Sequence, residues 1–442
     1  MSHHQATTDA TKQSANRIQA CLDRIERYDE GVNAWLHVFT DNERQRMQAQ
    51  AQAPVATDCP VDLTGLTVGL KDIFNIEGYT AQNGIHFPTS TQATHHAAVV
   101  QKLIDAGATL LGTTQLTEYC YFKPGVTANP YNLQCTPGGS SSGSAAAVAA
   151  GMADVTIGSQ TVGSVIRPAS FCGVYGFKPS FGTISRYGVT APLSYTMDHI
   201  GLFARRPADL IRTFHALRGF DARDPHSVPA VDQHYPGKRR AGLVTMPDDV
   251  QVSADMTAAC ESAAKMLAQH GWDVQPVVLP IDFAEVKALA RTLLSAEAAH
   301  IMSQAFNSDM LAQLGNELQD LVRDGLQLSS HDYWAATEKR NQITAQINAV
   351  LNDYQHLILP SAIGAAPSGL TATGDPICTV LTSISGLPAL NMPLGQDRHG
   401  MPLGVQLVGR KFTDTDLLFV PIEAGMGNAG VVDPAPTQNT SV

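Results

Sequence analysis

The run Pro137-Gly138-Gly139-Ser140-Ser141-Ser142-Gly143-Ser144-Ala145-Ala146-Ala147-Val148-Ala149-Ala150-Gly151 limits what this chain can fold into more than any other part of the sequence. Its glycines admit backbone angles that other residues avoid, and the alanines after them favour helix. The pattern predicts a strained loop delivered onto a helix N-terminus, where unpaired N–H groups gather. A flexible Gly/Ser linker fits poorly, because linkers do not run straight into an alanine helix. A phosphate loop would end in Lys-Ser or Lys-Thr, which is missing here. The hydrolase elbow G-x-S-x-G fits Gly139-Ser140-Ser141-Ser142-Gly143 literally, with Ser141 as nucleophile, and this stretch alone leaves that reading open.

Around it, helix-like and strand-like segments alternate and Gly-rich turns separate them, which indicates the α/β class. With 442 residues, 44% hydrophobic and 16% charged, the chain can bury a large core and is not of disordered composition. Strands are expected at Leu66–Lys71, Ala108–Leu111, Val155–Gly158, Ala241–Val244, Val274–Val278, His356–Leu359 and Leu403–Val408. Helices are expected at Asp9–Glu30, Asn42–Gln52, Ala97–Ala106, Pro207–Leu217, Ala254–His270 and Thr413–Ala424, with a short one opened by Pro168 and a mostly helical stretch from Phe283 to Asn352. Residues 1–8 read as a loose terminus, Ala53–Asp62 as a linker and Gly427–Val442 as a frayed tail. The whole, 1–442, reads as one domain: N-terminal helices about 9–52, a catalytic core about 64–217, a mostly helical segment about 245–355, core completion about 356–426, and the tail 427–442.

Charge narrows the partners. The formal net charge is −11, and the densest basic run is Lys238-Arg239-Arg240, so a phosphate backbone is repelled and nucleic acid is not a direct partner. The seven cysteines (Cys21, Cys59, Cys120, Cys135, Cys172, Cys260 and Cys378) are scattered and form no C-x-x-C pair, which speaks for a reducing compartment. Cys172 reads as a buried structural thiol. Met1–Lys12 is polar, and no apolar run approaches the ~18 residues needed to span a bilayer, so a cytoplasmic protein without membrane contact is expected. His95-His96 has no third ligand nearby, and no metal is expected.

Two further elements carry chemistry. Ser159-Gln160-Thr161-Val162-Gly163-Ser164-Val165-Ile166-Arg167-Pro168-Ala169-Ser170 sets a serine after a turn whose N–H groups can converge on an oxyanion. Lys71-Asp72 closes an apolar strand. Singly, Ser164 is an ordinary turn serine and Lys71 an ordinary ion-pairing lysine. Together with Ser140, at spacings of 69 and 24 residues by their numbers, they resemble the amidase signature family. The resemblance runs from about Thr64 to Arg205 and resumes at Leu357–Pro360, Gly386–Pro393 and Pro402–Arg410. It is supported by Gly112-Thr113-Thr114-Gln115-Leu116-Thr117-Glu118, Asn129-Pro130-Tyr131-Asn132, Cys172-Gly173-Val174-Tyr175-Gly176-Phe177-Lys178-Pro179 and Met197-Asp198-His199-Ile200-Gly201.

The resemblance implies an α/β/α sandwich around a large mixed sheet, with no cofactor. It implies a triad of Ser164 as nucleophile, Ser140 as a bridging serine reached through a cis peptide, and Lys71 as base. It also implies an oxyanion hole from Thr161, Val162, Gly163 and Ser164, and a substrate pocket near Tyr119, Tyr121, Phe122, Gly138, Gly139 and Tyr195. For such chemistry the lysine must be neutral, hence desolvated. The expected substrate is a small-molecule amide, carbamate or urea-like compound, and a homodimer is compatible with the sequence. Three departures stand out: the family usually has Asp at Gln160, Gly at Val162 and its commonest arginine at Ile166, one place before Arg167. A glutaminase subunit of a tRNA-dependent amidotransferase shares the signature, and a non-catalytic binding protein on the same scaffold is the rival from another class.

Overall fold

The computed structural model describes residues 2–51, 61–87, 91–235, 237 and 239–434, so most of the expected linker Ala53–Asp62 and the end of the expected tail lie outside the described residues. Short apolar runs become strands: β1 (Trp35–Val38), β2 (Thr67–Lys71), β3 (Thr109–Thr114), β4 (Val155–Gln160), β5 (Tyr175–Lys178), β6 (His199–Ala204), β7 (Arg240–Val244), β8 (Asp273–Val277), β9 (His356–Pro360), β10 (Ala389–Gln396) and β11 (Pro402–Gly409). They form one 11-stranded sheet in the order β1-β3-β2-β4-β6-β5-β10-β11-β9-β7-β8. β2 is parallel to both β3 and β4, and β7 is parallel to β8 and β9; the other pairings are antiparallel. Parallel neighbours need crossovers, and the helices Ala98–Asp105 and Ser142–Ala149 supply them on either side of β3. The mixed α/β sheet matches the fold expected from the sequence.

All five residues of β2 are buried, Lys71 included, as is the whole helix Ser142–Ala149. The small side chains of that helix let it press against Val165, Ala169, Cys172 and Phe203, which fixes the Gly/Ser loop before it. Between β8 and β9 come the helices Phe283–Ala305, Ser308–Leu311, Asn316–Gln327 and Ser330–Leu351, the first packed against the last two. Asp282 caps the first through the amides of Ala284 and Glu285, and a Ser329/Asp332 capping box starts the last.

Several elements differ from expectation. The first helix begins at Ser2, inside the stretch read as a loose terminus, and continues to Val32. The helix after Ser164 begins at Ile166, and Pro168 sits within its first turn, where a missing N–H costs nothing. β1, β5, β6 and β10 were not expected. Glycine or polar positions such as Gly176, Lys178, Gly201 and Asn391 interrupt the apolar pattern of the last three, yet they are central and buried. Among the described residues no helix is long and apolar enough to cross a membrane.

Candidate active site

The site starts at the end of β2. Lys71 is completely buried, and its Nζ donates to Ser140 Oγ at 2.7 Å and to Ser159 Oγ at 2.9 Å. Ser140 arrives through a cis Gly139–Ser140 peptide, and Ser159 comes from β4, the parallel neighbour of β2. Burial drives the Lys71 amine below its ordinary pKa; the nearby Cys120 thiol and Asp198 push the other way. Burial in turn raises the Cys120 thiol, which stays protonated beside the lysine.

Ser164 follows β4 on the turn before Ile166–Phe171. It shares with Ser140 a cavity of about 10 Å³, walled by Cys120, Tyr121, Phe122, Val162, Leu294 and Arg167. Lys71 and Ser140 are hydrogen-bonded, whereas the Ser140 and Ser164 hydroxyls, which line the same cavity, make no hydrogen bond to each other in this structure. Among the described residues, the amide N–H groups of Val162, Gly163 and Ser164 donate to no acceptor. Thr161 is pinned by its hydroxyl to Asp198 Oδ1 at 2.6 Å, and Asp198 Oδ2 accepts from the amides of Leu193 and Ser194 at 2.9 and 3.0 Å. Burial raises the Asp198 carboxyl, and these hydrogen bonds oppose the rise.

The departures from the family pattern have physical readings. Gln160 Oε1 accepts from the amides of Val165 and Ile166 at 2.9 and 3.0 Å, capping the short helix, while its Nε2 donates to Ser383 at 3.1 Å. A neutral amide fills this fully buried place without a charge to compensate. Val162 does not take a left-handed backbone, so a β-branched residue is tolerated there, and its carbonyl accepts from Thr379 Oγ1 at 3.0 Å. Its side chain lines the cavity.

A larger cavity of about 590 Å³ adjoins the first through Tyr121, Phe122, Val162 and Leu294, and Lys287 and Arg291 of Phe283–Ala305 reach its wall. Tyr121 and Phe122 thus line both cavities. Tyr119 is elsewhere: it packs edge-on against Phe306 in the core, with its backbone in the left-handed region (φ 46°). Tyr195 lines a third cavity, of about 200 Å³, which adjoins the inner one through Cys120 and Thr161 and also takes in Ser159 and Asp198. Gly138 turns the loop at φ 81°, and Gly139 offers its carbonyl to Arg167 Nη2 at 2.8 Å. Ser141, the elbow alternative, is fully buried on the other side, its hydroxyl tied to the Ser159 backbone at 3.1 Å, so that reading falls. Ser159 and Cys120 were missed by sequence reasoning. His96 is held by the Glu77 amide and Gln50, and the Cys172 thiol is buried and pushed up.

The Amidase family model matches residues 16–418. The chain is 30% identical over 444 residues to the A subunit of glutamyl-tRNA(Gln) amidotransferase from Synechococcus sp. (strain RCC307), covering 91% of each chain. It is 31% identical to the protein of the same name from Oleidesulfovibrio alaskensis, covering 94% of each. Among solved structures, a protein from a vestigial complex related to the origins of an s-triazine catabolic enzyme superposes with TM-score 0.82 at 27% identity, over 95% of this chain and 98% of that one. A 6-aminohexanoate cyclic dimer hydrolase superposes with TM-score 0.80 at 25% identity, over 93% and 92%.

Proposed function

Because this chain belongs to the amidase signature family, whose enzymes hydrolyse C–N bonds other than peptide bonds, we propose that it cleaves a small amide, or a related carbamate or urea-like bond, through an acyl-enzyme on Ser164. The observation that carries this reading is the 2.7 Å contact between a fully buried lysine and Ser140, at the edge of the cavity that holds Ser164. Neutral Lys71 takes a proton from Ser140 as Ser140 takes one from Ser164, and the Ser164 oxygen bonds to the carbonyl carbon. The amides of residues 162–164 hold the developing oxyanion. Ser140 then hands its proton to the nitrogen as the C–N bond breaks. Water attacks the ester in the second half, giving its proton back through the same relay, and the acid leaves. The hydroxyls of Ser140 and Ser164 close to hydrogen-bond distance when substrate is seated, as is common for catalytic pairs. Residues 1–442 act as one unit around the single sheet, with a small molecule as partner and the cytoplasm as compartment.

The test is direct. Ser164→Ala should lower turnover of an amide and carbamate panel by at least about 10⁴-fold. A fluorophosphonate should label the peptide carrying Ser164 in the natural protein and not in the variant. Near-normal rates, or a label on residues 137–151, would overturn the assignment. The relatives favour a second reading, the glutaminase component of an amidotransferase; ammonia release from glutamine that depends on co-purifying subunits would select it.

A further inference from the structure

The inner cavity of about 10 Å³ has room for about one water molecule, so its walls must part before a carbonyl carbon can reach Ser164. Two leucines among those walls come from different parts of the chain. Leu193 belongs to the loop before β6, and Leu294 to the helix Phe283–Ala305. That helix also walls the 590 Å³ cavity, to which it gives Ala284, Lys287, Ala288, Ala290, Arg291 and Leu294. Leu294 therefore faces both spaces.

One turn past Leu294, Glu297 joins this helix to that loop, and it is 5% exposed. Its Oε2 accepts from the Ser194 hydroxyl and from the Thr196 amide at 3.1 Å. Its Oε1 accepts from the Thr196 hydroxyl at 2.7 Å and from the Tyr333 hydroxyl at 3.0 Å. Burying a carboxyl is costly, and these bonds offset the cost only while loop and helix stay together. The loop runs on to Asp198, whose Oδ2 holds the Leu193 and Ser194 amides and whose Oδ1 holds the Thr161 hydroxyl. Arg186 also anchors the loop, through the Tyr195 carbonyl at 2.9 Å. Contacts thus run without a break from the wall of the larger cavity to the turn that carries Ser164.

We infer that Glu297 makes Leu193 and Leu294 move as one wall, so that filling the larger cavity opens the inner one and sets the turn at Ser164. Glu297 is then a positioning residue, since it touches no reacting atom. Through it, the substrate arm in the larger cavity speeds the bond-making step instead of only tightening binding. A carboxyl that merely stapled helix to loop would matter equally for a small substrate and a large one. The inference rests on the acyl-enzyme reading above and adds to it the residue that links substrate size to rate.

The experiment compares two fluorophosphonates, one with a methyl arm and one with a phenylpropyl arm, and reads the maximal rate of Ser164 labelling separately from the half-saturating concentration. In the natural protein the phenylpropyl probe should react at a maximal rate at least about tenfold above the methyl probe. In Glu297→Gln, whose amide cannot accept from all four donors, that ratio should fall toward one. The half-saturating concentration of the phenylpropyl probe should stay within about twofold. Thr196→Val removes one loop hydroxyl from the carboxyl and should lower the ratio partway. Tyr333→Phe removes a partner on another helix and should leave the ratio as it is. Cooperative urea unfolding checks that each variant folds; should Glu297→Gln fail to fold, Thr196→Val decides by the same ratio. Equal maximal rates in the natural protein, a loss in Glu297→Gln that falls alike on both probes, or a loss in Tyr333→Phe matching that in Thr196→Val would overturn the role of Glu297 and leave the serine chemistry standing. An unlabelled Ser164 in the natural protein would reject the acyl-enzyme reading, and the coupling with it.

Discussion

Two lysines in this sheet invite comparison. Lys71 ends β2 and Lys178 ends β5; both are fully buried, and burial lowers the pKa of both, Lys178 to about 7. Their partners differ. Lys71 meets two hydroxyls, which both accept and give protons. Lys178 Nζ donates to the main-chain carbonyls of Pro179 and Leu387, at 3.2 and 2.5 Å, and carbonyls only accept. Lys71 also stands behind a serine that walls a cavity, whereas Lys178 borders none of the cavities described above. Burial and a depressed pKa are therefore common to both, and neither property makes a base. A proton-conducting neighbour with access to substrate does.

Exchanging each lysine for methionine breaks the comparison most sharply. Lys71→Met should cut kcat/KM by about 10³-fold or more, because the relay loses its acceptor, while urea unfolding stays cooperative. Lys178→Met should keep kcat/KM within about twofold. Comparable losses in both variants would show that buried charge, not the relay, is what the reaction senses. In the natural protein the base is lost as pH falls through the depressed Lys71 pKa, so the acid limb of kcat/KM should lie below the ordinary lysine value of 10.5.

How much of this was legible depends on what kind of constraint each residue obeys. Lys71, Ser140 and Ser164 read singly as ordinary residues, and only the resemblance of their motifs to the amidase signature singled them out. Ser159 carries no such mark. A serine inside a strand looks neutral, and only the register of β2 beside β4 brings it to Lys71. Tyr119 and Tyr121 could not be told apart because the chain turns left-handed at Tyr119 and Cys120 (φ 46° and 61°), which upsets the simple alternation of faces. The helical stretch was readable as helices, but not which face lines the larger cavity. Lys287 and Arg291 are oriented by Asp375 and Asp324, and nothing along the helix itself names those partners. β5, β6 and β10 escaped because strands buried on both faces need no alternating pattern.

Ser159 sharpens the comparison from within the site. Its hydroxyl stabilises the charged form of Lys71 by accepting a hydrogen bond, so Ser159→Ala should lower the lysine pKa further. The acid limb of kcat/KM should then move to lower pH, while the maximal rate falls about tenfold because the amine is less firmly aimed at Ser140. A merely structural serine would lower the rate and leave the limb where it was.

The smallest effect falls on stability and concerns Lys178 alone. The unfolded chain holds this proton up to about pH 10.5, and the folded protein releases it at about 7. The depressed pKa therefore costs stability in full below about pH 7, and that cost is relieved as pH rises to 10.5. In that window the natural protein should gain on Lys178→Met by up to about 1.4 kcal/mol per pH unit, measured as the difference between their urea unfolding free energies at pH 7, 8 and 9. The absolute level of the variant is a poorer guide, since removing Nζ also strips two buried carbonyls of their donor and costs about 1–3 kcal/mol for each. The difference cancels other groups that titrate equally in both proteins, the raised Cys172, Cys260 and Cys378 thiols among them. Parallel stability curves would mean that Lys178 keeps its proton when folded, and that two carbonyls without a cavity suffice to hold a buried ammonium that two hydroxyls beside one do not.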